Sequence, residues 1–339
     1  MQSTKALPYP DEVNIDKLQG TKYDFARDLI GYGEKSLDAK WPSGKKVAIS
    51  FVLNYEEGGE RSLSLGDDTQ EFTLTTPSKG VPIPFRSFDL ESEYDYGSRA
   101  GVWRIFRLFK KYNYPLTGYI VGKAAERNPE VMKAFLRDGH EIASHAYRWI
   151  PYAGLEPEVE KGYIIKQLQE LKNITGEYPK GWYYGRLSTH ALGLVTEVYR
   201  ELGIPLEYIS DYYGDDVPRW IEVPAEKDLP KEEKKGLLLV PYSYDCNDFR
   251  FLNPNGFRSD SAFLEHLINA FTTLYEEADE CGAKMMTVGL HCRIIGKPGY
   301  FQSLKKFIEH ISQFEDVWVC RRIDIANHFK ETFPYSPSE

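Results

Sequence analysis

The chain has 339 residues, with 42 % hydrophobic and 27 % charged residues. This is the composition of a soluble globular protein with enough apolar material for a sizeable core. A formal net charge of −9 argues against a nucleic-acid groove and against an anionic membrane surface. The four cysteines, Cys246, Cys281, Cys292 and Cys320, form no C-x-x-C pair. The first residues, MQSTKALPYPDEVN, lack the basic and apolar regions of a signal peptide, and no stretch of about 18 apolar residues could span a bilayer. Free structural thiols in a reducing cytoplasm are the expectation. Aromatic residues make up 14 % of the chain, with 24 tyrosines. That suits core packing first, and secondly a ring-lined pocket for a flat ring or a sugar.

Residues 1–40 are polar and turn-rich and read as an extended lead-in. Lys46 to Leu53, KVAISFVL, is short, apolar and partly β-branched, which predicts a buried strand ending at NYEEGGE. Residues 60–95 show no periodicity and hold Pro77, Pro82 and Pro84, so a long loop is expected there. Val102, Ile105, Phe106 and Phe109 have helical spacing. Leu116 to Val121 reads as a strand, and Asn128-Pro129-Glu130 opens a helix closed at Gly139. GHEIASH follows as a strand, and residues 157–174 as a helix closed near Gly176. Residues 221–236, rich in Lys and Glu, read as a solvated loop. Leu237 to Tyr242 is a strand, residues 261–279 a helix, Met285 to Leu290 a strand, Leu304 to Phe314 a helix and Val317 to Val319 a last strand. Continuous strand–helix alternation from residue 46 to about 330 predicts parallel strands in a single distorted α/β barrel, taken as residues 41–335.

In such barrels the working residues sit where strands give way to loops. Polar clusters stand at four such places: Glu56-Glu57-Gly58, His145, Asp245 with Asp248, and His291-Cys292-Arg293. The segment GWYYGR adds Arg186 beside Trp182, Tyr183 and Tyr184. Any one of these residues is most simply a salt bridge or a solvated side chain. Their recurrence at strand ends favours a site.

The order of these clusters resembles the polysaccharide deacetylases of the NodB-homology barrel. Asn54-Tyr55-Glu56-Glu57-Gly58 stands where that family has T-F-D-D-G, its general base followed by a metal ligand. His145 stands at the first histidine ligand, and Trp149 falls where the second histidine would be. Leu290-His291 matches the strand ending in the catalytic acid. VLNYEEGGE, YDYGSRAGVWR, GHEIASHAYRWI, MMTVGLHCRIIGKPG and VWVCRRIDIA are similar to the metal-independent, PuuE-type allantoinases, an offshoot of that family. The resemblance runs from Arg27 to about residue 330, with the loop after NYEEGGE and residues 221–236 unmatched.

An indole is a donor only, so Trp149 cannot replace an imidazole ligand. A zinc site needs about three protein ligands. No metal or other cofactor is therefore expected. The resemblance then implies an amide hydrolase that opens the hydantoin ring of allantoin to allantoate. Glu56 is its base, Glu57 shares that role or orients substrate, and His291 is the acid. His145, Trp149, Arg186 and Tyr184 would contact substrate, and Asp245 would contact it or orient His291. The partners expected are a small ureide and further copies of the chain in a homo-oligomer. The loop over 60–95 and GWYYGR are expected to close a small pocket. Two other readings stand beside this one. One is a cytoplasmic chitin or peptidoglycan deacetylase, acting on N-acetylated sugars, with a rearranged metal site of Glu57, His145 and His291 or Asp245. The other is a barrel that only binds a sugar or a partner.

Overall fold

The computed structural model describes residues 18–76 and 81–337. Residues 1–17 of the expected lead-in and Pro77 of the expected loop lie outside the described residues. Strand β1 spans Val47–Tyr55, and every residue in it is buried. That is what an uninterrupted apolar run gives when both faces of a parallel sheet are covered. Strands β2 (Thr117–Ile120), β3 (Glu141–Ser144), β4 (Gly181–Trp182), β5 (Tyr208–Ile209), β6 (Arg219–Ile221), β7 (Leu237–Leu239), β8 (Lys284–His291) and β9 (Val317–Val319) complete one sheet. Their order is β6-β7-β5-β4-β3-β2-β1-β8, with β9 also beside β1.

β1 is the axis of the arrangement. It pairs with β8 from Val47–Lys284 to Asn54–His291. On its other side β9 meets Val47–Ile49 and β2 meets Val52–Tyr55. All pairings are parallel except β6 with β7. The antiparallel edge strand β6 departs from the all-parallel expectation, and the Lys- and Glu-rich stretch 221–236 that links it to β7 holds only two short helical turns. Within that stretch Glu226 is buried and takes Arg200 and the amides of Lys235 and Gly236. Beyond β7 the chain bridges to β8, where the Gly289 amide donates to the Cys246 carbonyl. The sheet is thus a curled half-barrel with helices on its outer side, of the kind read from the alternation.

Helices α1 (Phe88–Tyr96), α2 (Val102–Tyr112), α3 (Gly122–Arg127), α4 (Pro129–Arg137), α5 (Pro157–Thr175), α6 (Ala191–Glu201), α7 (Asp260–Cys281), α8 (Pro298–Ile311) and α9 (Arg322–Thr332) cover the strands. α2 buries Val102, Ile105, Phe106 and Phe109 as their spacing requires. α5 ends at Gly176, whose φ of 87° suits the left-handed cap. Asn128 precedes α4, but its side chain donates to Ser98 Oγ rather than capping the helix. Among the described residues no helix is long and apolar enough to cross a membrane. The cysteines are free.

The inner side of the curl is filled. Arg322 is fully buried there and donates to Ser210 Oγ, Thr287 Oγ1 and the carbonyls of Val240 and Pro241. Tyr119, Tyr208 and Tyr242 ring its guanidinium at about 6 Å. Much of the tyrosine content is thus packing.

The expected long loop over residues 60–95 is shorter than the sequence suggested. α1 begins at Phe88 and runs through a π turn, Gly97–Gly101, into α2. α1 carries a mixed sequence, FDLESEYDY, with only Leu90 and Tyr94 buried, so it offers no apolar stripe to read. The π turn brings backbone against the strand ends. A Cβ on Gly97 would fall 2.3 Å from Glu57 Oε1, and one on Gly101 would fall 2.0 Å from the Cys292 carbonyl oxygen. Gly101→Ala should therefore cost about 1–3 kcal/mol. It should also depress catalytic turnover, because it displaces the backbone between His291 and Arg293. Urea denaturation and steady-state rates check this, and native stability in Gly101→Ala would contradict it.

Candidate active site

The sheet delivers its polar residues to one end. Past each strand the ladder continues by one bond: Val121 donates to Tyr55, His145 to Ile120, and Tyr183 to Ser144. Residues just beyond β1, β3, β4 and β8 are thereby held side by side at the C-terminal edge of the sheet, where α/β folds place their sites.

β1 stops at Tyr55, so Glu56 and Glu57 are freed from strand alternation. Gly58 has φ of 99° and the Gly59 amide donates to the Glu56 carbonyl at 2.8 Å, closing a tight turn. Glu57 folds back: its Oε2 accepts from the Glu56 amide at 3.1 Å and its Oε1 from the Arg293 amide at 3.2 Å. Glu57 therefore buttresses the backbone, and Glu56 faces the cluster. Glu56 Oε2 lies 2.7 Å from Arg293 Nη1. Its Oε1 lies 3.3 Å from His145 Nε2 and 3.5 Å from His291 Nε2.

His291 is held from behind. Asp248 Oδ1 lies 2.6 Å from its Nδ1, and Asp248 Oδ2 accepts the amides of His291 and Ile295. The carboxylate behind His291 is thus Asp248. Asp245 sits apart, exposed, against Ser243 and His266. The expectation that Asp245 orients His291 is therefore corrected to Asp248, because the spacing of PYSYDCND does not show which acid is buried. The short helical turn Asp248–Leu252 is what buries the second one.

His145 Nδ1 faces the Tyr183 carbonyl at 3.3 Å, and Ala146 beside it has φ of 59°, an uncommon backbone state for a residue with a Cβ. Trp149 is buried, with the guanidinium carbons of Arg186 and Arg293 at 4.3 and 5.1 Å from its ring. Arg186 also reaches Glu71 at 3.6 Å. The Tyr184 ring is elsewhere, packed on Tyr152 and Trp182 beneath the helices. Tyr183 approaches the cluster instead, 5.1 Å from the His145 ring. Arg293, Asp248, Tyr94 and buried Glu60 complete the surroundings. Arg293 stood in the sequence beside His291 with no role attached, because an arginine after a strand most often meets solvent.

The charges are arranged by these contacts. Burial alone would raise the Glu56 carboxyl, but Arg293 and His291 outweigh it and hold it well below the usual range. For Glu57 burial dominates, reinforced by the Glu56 charge, and pushes it to about 7 despite Arg293. Burial would lower the His291 imidazole, yet Asp248 and Glu56 raise it to about 9. At neutral pH the cluster therefore holds an ionised Glu56 beside a protonated His291.

These donors do not suit a divalent ion. Arg293 already places a cation 2.7 Å from Glu56 and 3.6 Å from Glu57. Both Glu57 oxygens are engaged by amides, and the Trp149 indole has no lone pair to give. Among the described residues, the one three-member donor group with metal-like spacing is Asp245, Cys246 and His266, outside this cluster.

The family model described as Polysaccharide deacetylase matches residues 89–206. A Schizosaccharomyces pombe protein named as a polysaccharide deacetylase is 43 % identical over 315 residues, covering 91 % of this chain and 98 % of its own. The chain belongs to the polysaccharide deacetylase family. Within this family of hydrolases it is also similar to two solved structures. One is PuuE allantoinase, 43 % identical with a TM-score of 0.84, covering 92 % of this chain and all of that one. The other, from Pseudomonas aeruginosa PAO1 and named as a probable polysaccharide deacetylase, is 42 % identical with the same TM-score and coverage. The Helicobacter pylori peptidoglycan deacetylase is 26 % identical over 258 residues, 70 % of this chain and 87 % of its own.

The Asp248 contact has a measurable signature. A raised imidazole contributes stability fully below its unfolded pKa of about 6.5, and that contribution is lost as pH rises through about 9. NMR titration should find the His291 ring protons titrating near 9 in wild type. In Asp248→Asn they should titrate markedly lower. An unchanged titration in that variant would remove Asp248 as the cause.

Proposed function

We propose that this protein is a metal-independent amide hydrolase that opens the hydantoin ring of allantoin to allantoate. The observation that carries the proposal is the buried Glu56 carboxylate, 2.7 Å from Arg293 and 3.5 Å from a His291 backed by Asp248 at 2.6 Å. Likeness to PuuE allantoinase supports the substrate. Glu56 takes a proton from water as the water oxygen adds to the ring carbonyl carbon. The tetrahedral adduct then collapses, its C–N bond breaks, and His291 gives its proton to the departing ring nitrogen. Asp248 holds the imidazole in place and stabilises its charged form. Without an ion to lower the pKa of water, the carbonyl must be the more electrophilic partner. A hydantoin carbonyl with a ureide nitrogen leaving is better suited to this than an acetamide.

A second reading, removal of acetyl groups from an amino sugar, is favoured by the names of the Schizosaccharomyces pombe, Pseudomonas aeruginosa and Helicobacter pylori relatives. The two separate in one assay. Racemic allantoin should be consumed, in at least one enantiomer, with allantoate formed, while acetylated chitin oligomers release no acetate. Acetate from the oligomers with allantoin untouched would overturn the proposal. Glu56→Gln and His291→Asn should each slow allantoin turnover by about 10²- to 10⁴-fold with the fold intact. The rate should also fall as pH rises past about 9, where His291 loses its proton. Wild-type turnover in either variant would remove that residue from the mechanism.

A further inference from the structure

Arg293 is 1 % exposed, yet its guanidinium is only partly used. Nη1 donates to Glu56 at 2.7 Å and Nε to the Leu74 carbonyl at 3.3 Å, while Nη2 has no hydrogen-bond partner among the described residues. A guanidinium carries five N–H donors and no acceptor. Burying a cation with donors left unpaired is costly, and each such group calls for an explanation. A purely structural role, neutralising Glu56 and Glu57, accounts for Nη1 and leaves Nη2 unexplained.

The same region holds other unpaired groups. The Tyr94 hydroxyl is buried without a partner among the described residues, and its ring centre lies 4.5 Å from the Arg293 guanidinium carbon. The Thr75 hydroxyl, one residue along from Leu74, is likewise unpaired among the described residues. Among the described residues both amide atoms of Gln70, which is fully buried five residues before Thr75, are unpaired as well. Most other buried polar groups of the cluster are satisfied, so these orphans mark a place where a ligand supplies the missing partners.

We propose that Nη2 of Arg293 receives the carbonyl oxygen under attack, and that this guanidinium carries the positive charge that a metal ion would otherwise supply to the reaction. The inference rests on the hydrolase reading above and deepens it. Nη1 and Nη2 share one planar carbon, so an oxygen accepted by Nη2 is fixed beside the Glu56 carboxylate held by Nη1. As water adds, electron density moves onto that oxygen and the Nη2 hydrogen bond strengthens. No proton leaves the guanidinium, which stays charged throughout. The ligand class follows from the orphans. A small planar cyclic ureide, alternating C=O and N–H around its ring, can pair with a guanidinium and a neighbouring hydroxyl together.

The test compares wild type with Arg293→Lys, which keeps the charge and loses the fork, and with Arg293→Ala. Racemic allantoin is the substrate, and hydantoin binding by calorimetry is a second readout. Arg293→Lys should fold and lose about 10²- to 10³-fold in kcat, with a smaller change in KM. Arg293→Ala should be at least as slow and should be accelerated by millimolar guanidinium ion, which leaves the wild-type rate unchanged. Near-wild-type kcat in Arg293→Lys, or a folded Arg293→Ala that guanidinium does not rescue, overturns the inference. If Arg293→Ala does not fold, Glu56→Gln combined with Arg293→Met removes both charges together and must lose hydantoin binding; retained binding overturns it. If wild type leaves allantoin untouched, the substrate reading fails by itself. Hydantoin then decides on Arg293: binding to wild type that Arg293→Lys abolishes supports the role, and equal or absent binding in both overturns it.

Discussion

A buried carboxylate and a buried guanidinium, Glu56 and Arg293, are the pair around which this end of the molecule is organised. Neither charge would be tolerated alone, since removing one partner of such a pair typically costs about 3–5 kcal/mol. Because Arg293 neutralises it, Glu56 stays ionised in a site that water barely reaches, and an ionised Glu56 in turn helps keep His291 protonated. The backbone is shaped to the pair. The turn at Gly58-Gly59 ends β1 in time for Glu56 to face Arg293. Glu57 ties the two segments by accepting the amides of Glu56 and Arg293. The π turn, with glycines at 97 and 101, lets a helix press against both.

The sheet supplies the positions and the loops supply the chemistry. β1 and β8 run in register over their whole shared length, which fixes Asn54 opposite His291 and so sets the distance between the first and last polar clusters. His145 is pinned by the hydrogen bond that its amide donates to the Ile120 carbonyl. Arg322 and its tyrosine ring fill the inside of the curl below, so the polar end rests on a packed floor. One family scaffold thus holds a set of charges that satisfy one another through a guanidinium.

Much of this was legible in the residues. Short apolar runs marked β1 and β8, Gly176 marked the end of α5, and the polar residues at the strand ends named Glu56, Glu57, His145 and His291. What escaped reading depended on side-chain direction. Asp245 and Asp248 are equivalent on paper, and only the helical turn after Asn247 shows which one is buried. Tyr183 and Tyr184 are neighbours on opposite faces, and the face turned to the site is that of Tyr183. α1 has too few apolar residues to announce itself, and β4 and β5 are two-residue strands with no periodicity to detect. The unpaired Nη2 of Arg293 is a property of three dimensions alone.

The proposed use of an internal guanidinium in place of a bound ion requires turnover without metal. It is tested most directly by stripping purified protein with a strong chelator, verifying its metal content by elemental analysis, and following allantoin turnover before and after added zinc. Turnover that is unchanged by stripping, with well under one metal ion per chain, and that zinc does not raise is the expected result. Turnover that vanishes on stripping and returns with zinc would contradict the account.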